Sequence, residues 1–139
     1  MQINLIVSVM IGVSFLAIFQ KEAAPISPTK IPVEVWCGGD DMLTRGVCYA
    51  LEDAFASSAD FALSDGHPPG ILVVTIPTNV DWKEKGKRTR VFYTVEFTTA
   101  DDKMLRTRKG KCWNDDFARC VNQIVKQARI EARKLHTEH

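Results

Sequence analysis

Residues Arg90 to Thr99 read "RVFYTVEFTT", and their alternation decides the fold. Val91, Tyr93, Val95 and Phe97 fall on one side of a pleated chain. Arg90, Phe92, Thr94, Glu96 and Thr98 fall on the other. A strand with this pattern sets one face against a core and the other in water, as antiparallel meanders do. Upstream, Ile71 to Ile76, "ILVVTI", is apolar and β-branched, which marks a more deeply buried strand. Pro77 ends that run. Because proline has no amide to give to a ladder, it predicts a bulge or an interrupted edge. Glu84-Lys85-Gly86-Lys87 supplies a turn into the alternating strand, and Ala100-Asp101-Asp102-Lys103 supplies the turn after it. Met104 to about Lys111 follows as a polar last strand.

The flanks complete the pattern. Ile31 to Cys37, "IPVEVWC", alternates as a first strand with Pro32 tolerated near its start. Gly38-Gly39 breaks it, and Asp40 or Asp41 is placed to cap a helix carrying Leu43, Val47, Leu51, Ala54 and Phe55 on its core face. Gly46 inside that helix predicts close packing against a sheet. Phe61 to Ser64 reads as a short strand and Asp65 to Gly70 as a loop. After Trp113 a second helix starts, with Asn114 or Asp115 as the expected cap. Its apolar set is Phe117, Cys120, Val121, Ile124, Val125 and Ala128. The expected fold is a single small α+β domain over residues 31–139: an antiparallel or mixed sheet of four or five strands with two helices on one face, in the order β-α-β-β-β-β-α.

The 139 residues suit one domain, and a net charge of +1 points to neither a nucleic-acid binder nor an acidic tail. Ile3 to Phe19 is an uncharged apolar run, so residues 1–24 read as a signal peptide or an amino-terminal membrane anchor. Residues 25–30 belong to a proline-rich tether. Either reading of the leader sends the remainder out of the cytoplasm, to the periplasm or beyond.

The four cysteines fall in two echoing stretches, "CGGDDMLTRGVC" from Cys37 to Cys48 and "CWNDDFARC" from Cys112 to Cys120. Their spacings of eleven and eight residues do not match the short knuckles of zinc sites. In an exported chain they favour disulfides over free thiols or metal. Each stretch has one cysteine at a strand end and one inside the following helix. The local pairing, Cys37 with Cys48 and Cys112 with Cys120, is favoured. A helix-to-helix bridge from Cys48 to Cys120, with Cys37 to Cys112 at the sheet, stays open.

Two segments carry a family resemblance. "LTRGVCYALEDAF", Leu43 to Phe55, and "RTRKGKCWNDDFARCVNQIVKQA", Arg106 to Ala128, resemble the first helix and the closing strand and helix of the TolB amino-terminal domain. They are also similar to the related folds of outer-membrane lipoproteins that assist envelope machinery. The resemblance spans Ile31 to Ala128. It departs at "SDGHPPG", where that group often has an extra helix, and in the four cysteines. It implies an envelope compartment and a scaffolding or partner-binding role, and it transfers no site residues.

No residues are expected to be catalytic. Asp40-Asp41 and Asp115-Asp116 read as helix-start acids, with no His, Lys or Ser beside them as a partner. His67 sits in a loop, and His136 and His139 lie at the chain end. No nucleophile elbow, phosphate loop or zinc-protease motif occurs, so neither an enzyme, a cofactor nor a metal is expected. The remaining distinctive feature is cationic. "WKEKGKRTR" and "KMLRTRKGK" place ten Lys and Arg residues on the meander. Trp82, Lys83, Lys85, Lys87, Arg88, Arg90, Phe92, Arg106 and Arg108 form the candidate surface. The expected partner is an envelope protein. The alternatives are an anionic glycan or lipid surface, with Trp82 and Phe92 as apolar contacts, or a role as a small exported inhibitor or immunity protein.

Overall fold

The alternating stretch forms the central strand of a six-stranded mixed sheet. The structure, a computed structural model, describes residues 29–137. The leader, residues 25–28 of the tether, and His139 lie outside the described residues. In chain order the elements are β1 (Ile31–Cys37), α1 (Met42–Ala56), β2 (Phe61–Leu63), β3 (Leu72–Ile76), β4 (Asp81–Lys85), β5 (Arg88–Thr99), β6 (Met104–Trp113) and α2 (Phe117–Thr137). This is the expected α+β arrangement, with β4 added to the strands that the sequence pattern marks. No helix among the described residues is long and apolar enough to cross a membrane.

β1 runs parallel to β2 and β3, while β3, β4 and β6 run antiparallel to β5. One side of β5 pairs with β6. The other side pairs with β3 along its carboxyl-terminal half and with β4 along its amino-terminal half. Between the pairs Thr75↔Glu96 and Asp81↔Phe92 the chain takes six steps, against four on β5. β3 and β4 are therefore one strand interrupted by a two-residue bulge, at the place Pro77 marks.

The bulge is pinned to the start of α1. Asn79 Oδ1 accepts from the Asp40 and Asp41 amides at 2.8 and 3.2 Å, and the Val80 amide donates to the buried Thr44 hydroxyl at 2.9 Å. Gly38 and Gly39 are required here. A Cβ on Gly38 would strike the Pro77 carbonyl, and one on Gly39 the Asn79 and Thr44 side chains. Asp41 is the cap of α1, accepting from the Thr44 amide at 2.7 Å.

The buried side of β5 packs with Val47, Leu51 and Phe55 of α1 and with Val121, Ile124 and Val125 of α2. Gly46 does not face the sheet as expected. Its missing side chain makes room for the Phe117 ring, so it sets the approach of the two helices. Asn114 and Asp115 do not cap α2 either. Asn114 Oδ1 accepts from the Thr89 amide, the Asn114 amide donates back to the Thr89 carbonyl, and Asp115 binds Arg88 at 2.8 Å. Both residues are drawn to β5, and α2 begins one residue past Asp116.

The cysteines pair within each stretch. Cys37–Cys48 has Cα atoms 6.2 Å apart and Cys112–Cys120 5.5 Å, both within ordinary disulfide reach. The second bridge ties the end of β6 to the first turn of α2. The same two elements meet again through Glu131. Although fully buried, its carboxylate receives Lys134 Nζ at 3.0 Å, Gln127 Nε2 at 2.8 Å and Arg106 Nε at 3.3 Å. Burial pushes its pKa up, but the hydrogen bonds from Lys134 and Gln127, the Lys134 charge and the Arg106 bond together hold it below the ordinary value.

Candidate functional site

The side of the sheet away from the helices is open, and its chemistry follows from register. β4 and β5 close through a two-residue turn in which Gly86, at the first central position, has φ +65°. That is the position where a II′ turn requires glycine. With Lys85 opposite Arg88, the pleat puts Lys85, Lys83 and Asp81 on the same face as Arg88, Arg90 and Phe92. β6 adds Trp113 opposite Arg90, Lys111 opposite Phe92 and Lys109 opposite Thr94. Three strands thus build one basic half-face.

Two cross-strand pairs within it are like-charged: Lys83 directly opposite Arg90, and Lys85 directly opposite Arg88. Trp113 lies beneath both guanidinium groups, with Arg88 Cζ 4.3 Å and Arg90 Cζ 4.6 Å from its ring centroid. Such contacts hold planar cations in place without neutralising them. Arg88 alone of this set has a carboxylate partner, Asp115, whose pKa is lowered chiefly by the Arg88 hydrogen bond. Among the described residues Lys83, Lys85, Arg90, Lys109 and Lys111 have no ion-pair partner.

The other half of the open face has a different character. Trp36, His67, Val73, Thr75, Glu96 and Thr98 line a shallow depression of about 410 Å³. Glu34 lies beside it. Its buried Oε2 sits 3.0 Å from His67 Nδ1, an electrostatic contact without hydrogen-bond alignment. Cations therefore outnumber acids at one end of the open face, where only Asp81 and Asp115 accompany them, while Glu34 and Glu96 lie at the other.

The structure separates several residues that lie close together in the sequence-derived surface. Trp82 pairs with Val91, so the pleat turns it to the opposite face from Phe92, where it stands 54% exposed. Arg106 and Arg108 pair with Phe97 and Val95 and so belong to the helix side, where they bind Glu131 and Gln127. Lys87 lies in the turn. Conversely, Trp113 joins the site although its sequence context does not point to it. "KCW" carries a signal only once β6 is known to run to residue 113 in register with Arg90.

Among the described residues no three His, Cys, Asp or Glu side chains converge as metal ligands would. Tyr93, on the helix side of β5, has its pKa raised by burial and donates to Gln123 Oε1 at 2.9 Å, a packing role.

No protein-family model matches the chain, and neither does any curated protein. Solved structures with a similar arrangement include a minor lipoprotein from Acinetobacter baumannii, at 14% identity and TM-score 0.45, covering 73% of this chain and 94% of that one. The hypothetical protein CT253 from Chlamydia trachomatis matches at 12% and 0.44, covering 73% and 96%. Lipoprotein GNA1162 from Neisseria meningitidis matches at 11% and 0.36, covering 70% and 97%. None of these similarities is strong enough to assign the chain to a family.

Proposed function

We propose that this chain is an exported, non-enzymatic interaction module that docks an acidic protein partner of the cell envelope on the basic half of its open sheet. The observation that carries this reading is the pair of like-charged cross-strand neighbours, Lys83 with Arg90 and Lys85 with Arg88. Like charges directly opposite disfavour a ladder, by a fraction of a kcal/mol up to about 1 kcal/mol each. Lysines on an edge do deter strand-to-strand aggregation. That purpose does not require an arginine facing each lysine, nor a tryptophan beneath the arginines. An anionic partner turns the same repulsion into attraction on binding. Export is supported by the apolar run at residues 3–19 together with two disulfides.

A glycan or lipid surface would draw on the same cations. That alternative relies on Trp82 and Phe92 as joint apolar contacts, but the pleat turns them to opposite faces. They share only the groove that wraps the β4 edge, which suits an extended chain better than a flat surface, so a protein partner is preferred. The test is recovery of a defined partner from native envelope by the mature protein, compared with the Arg88→Glu/Arg90→Glu variant. The expected result is a loss of at least about tenfold in affinity for the variant, with wild-type binding weakening as salt rises. Equal recovery by the variant contradicts the reading. Tight, salt-sensitive binding to anionic vesicles without a protein partner moves the function to the membrane surface.

A further inference from the structure

β4 is an edge strand with its backbone unoccupied on one side. In a two-residue hairpin the closing pair, Lys85 and Arg88, exchanges ladder hydrogen bonds, and the bonding alternates from there. Asp81, Lys83 and Lys85 therefore bond to β5. The amides and carbonyls of Trp82 and Glu84 point away from the sheet. The parity is corroborated from the other side: Thr89, opposite Glu84, turns its own amide and carbonyl to Asn114 rather than to β4.

The other two sheet edges are handled differently. β2 is only three residues long, and β6 holds its arginines against α2 through Glu131 and Gln127. On β4 all five residues are exposed, Lys83 and Lys85 have no carboxylate partner among the described residues, and Trp82 is 54% exposed on the side away from the lysines. A cavity of about 540 Å³ lined by Val80, Asp81, Trp82, Lys83 and Phe92 runs alongside.

We infer that the outer edge of β4 receives an extended acidic segment of the partner by strand addition, an inference that rests on the basic half-face being a docking surface. An added strand bonds to the amides and carbonyls of Trp82 and Glu84, which supply affinity without regard to sequence. Its side chains alternate. Carboxylates on one side meet Lys83 and Lys85, with Arg88 and Arg90 in the next strand, and apolar side chains on the other side cover Trp82. Charge complementarity selects this occupant over a second copy, because joining two β4 edges would set two basic half-faces side by side.

The experiment uses the disulfide-bonded protein and an eight-residue peptide of alternating Glu and Val as probe, with alternating Lys and Val as control. The expected result is saturable binding of the acidic peptide only, with a change in Trp82 emission and slowed amide exchange at Trp82 and Glu84. Glu84→Pro removes an outward amide without removing a bond to β5, so it should bind at least about tenfold more weakly than Glu84→Ala. Both variants lose the same negative charge, so their difference reads the backbone alone. Equal binding by the two variants, unchanged exchange at Trp82 and Glu84, or no saturable binding up to roughly 1 mM overturns the inference. Self-association of the protein that Glu84→Pro abolishes also overturns it, in favour of a second copy. If Arg88→Glu/Arg90→Glu loses binding while Glu84→Pro matches Glu84→Ala, the basic face stands and the edge falls. The reverse result leaves the edge standing and removes the face.

Discussion

The edges at β4 and β6 both carry alternating cations, yet the protein treats them in opposite ways. At β6 the cations on the helix side are used up within the fold. Arg106 reaches the buried Glu131, Arg108 reaches Gln127, and the Cys112–Cys120 bridge fastens the strand to α2. At β4 every residue is exposed, and Lys83 and Lys85 face arginines instead of acids. A count of positive residues treats the two edges as equal. Their partners differ: Arg106 and Arg108 of β6 are engaged by α2, whereas Lys83 and Lys85 of β4, like Lys109 and Lys111 on the open side of β6, have no carboxylate partner among the described residues.

The largest expected effect that separates the edges comes from the disulfides. Cys112→Ala/Cys120→Ala should cost about 2–3 kcal/mol in denaturant unfolding, from the chain entropy restored to a loop of that length. Peptide binding at β4 should survive wherever the variant is folded. Loss of binding by a folded variant would show that the two edges are coupled. Glu131→Ala comes next, at about 1–3 kcal/mol, since it leaves the donors of Arg106, Gln127 and Lys134 to seek water.

The same carboxylate sets an acid limit. Its folded pKa lies below the ordinary 4.5, so its contribution is fully present above that value and is lost as pH falls through the lowered folded value. Glu131→Gln should flatten stability against pH over that window, and a curve parallel to wild type would remove Glu131 as the cause. Asn79→Ala should have a smaller effect, about 1 kcal/mol, and a local one. It releases the bulge from α1, so amide exchange should quicken at Lys83 and Lys85 and stay unchanged through β6.

Much of the fold is legible in the sequence. The alternation of Val91 to Phe97, the proline after Ile76 and the periodicities of both helices each reflect a burial pattern, which sequence records directly. β4 is illegible for the same reason: Asp81 to Lys85 buries neither face, so no apolar period marks it. Gly46 signals a close contact, but a missing side chain does not say which neighbour fills the space, and the occupant is Phe117 rather than the sheet. The site is half legible. Composition alone singles out Lys83, Lys85, Arg88 and Arg90. It passes over Trp113, and it groups Trp82, Arg106 and Arg108 with a face they do not share, because facing depends on a cross-strand register that adjacent residues do not encode.

Lys83 and Lys85 stand against Arg90 and Arg88 with a repulsion that Trp113 and Asp115 relieve only in part, and that the proposed acidic ligand would offset. The most direct measurement is urea unfolding of Lys83→Glu/Lys85→Glu beside binding of the acidic peptide. Reversal places each new carboxylate opposite an arginine. Stability should rise by roughly 0.5–1 kcal/mol while affinity falls. A variant that is less stable than wild type, or one that binds the peptide equally well, contradicts the account.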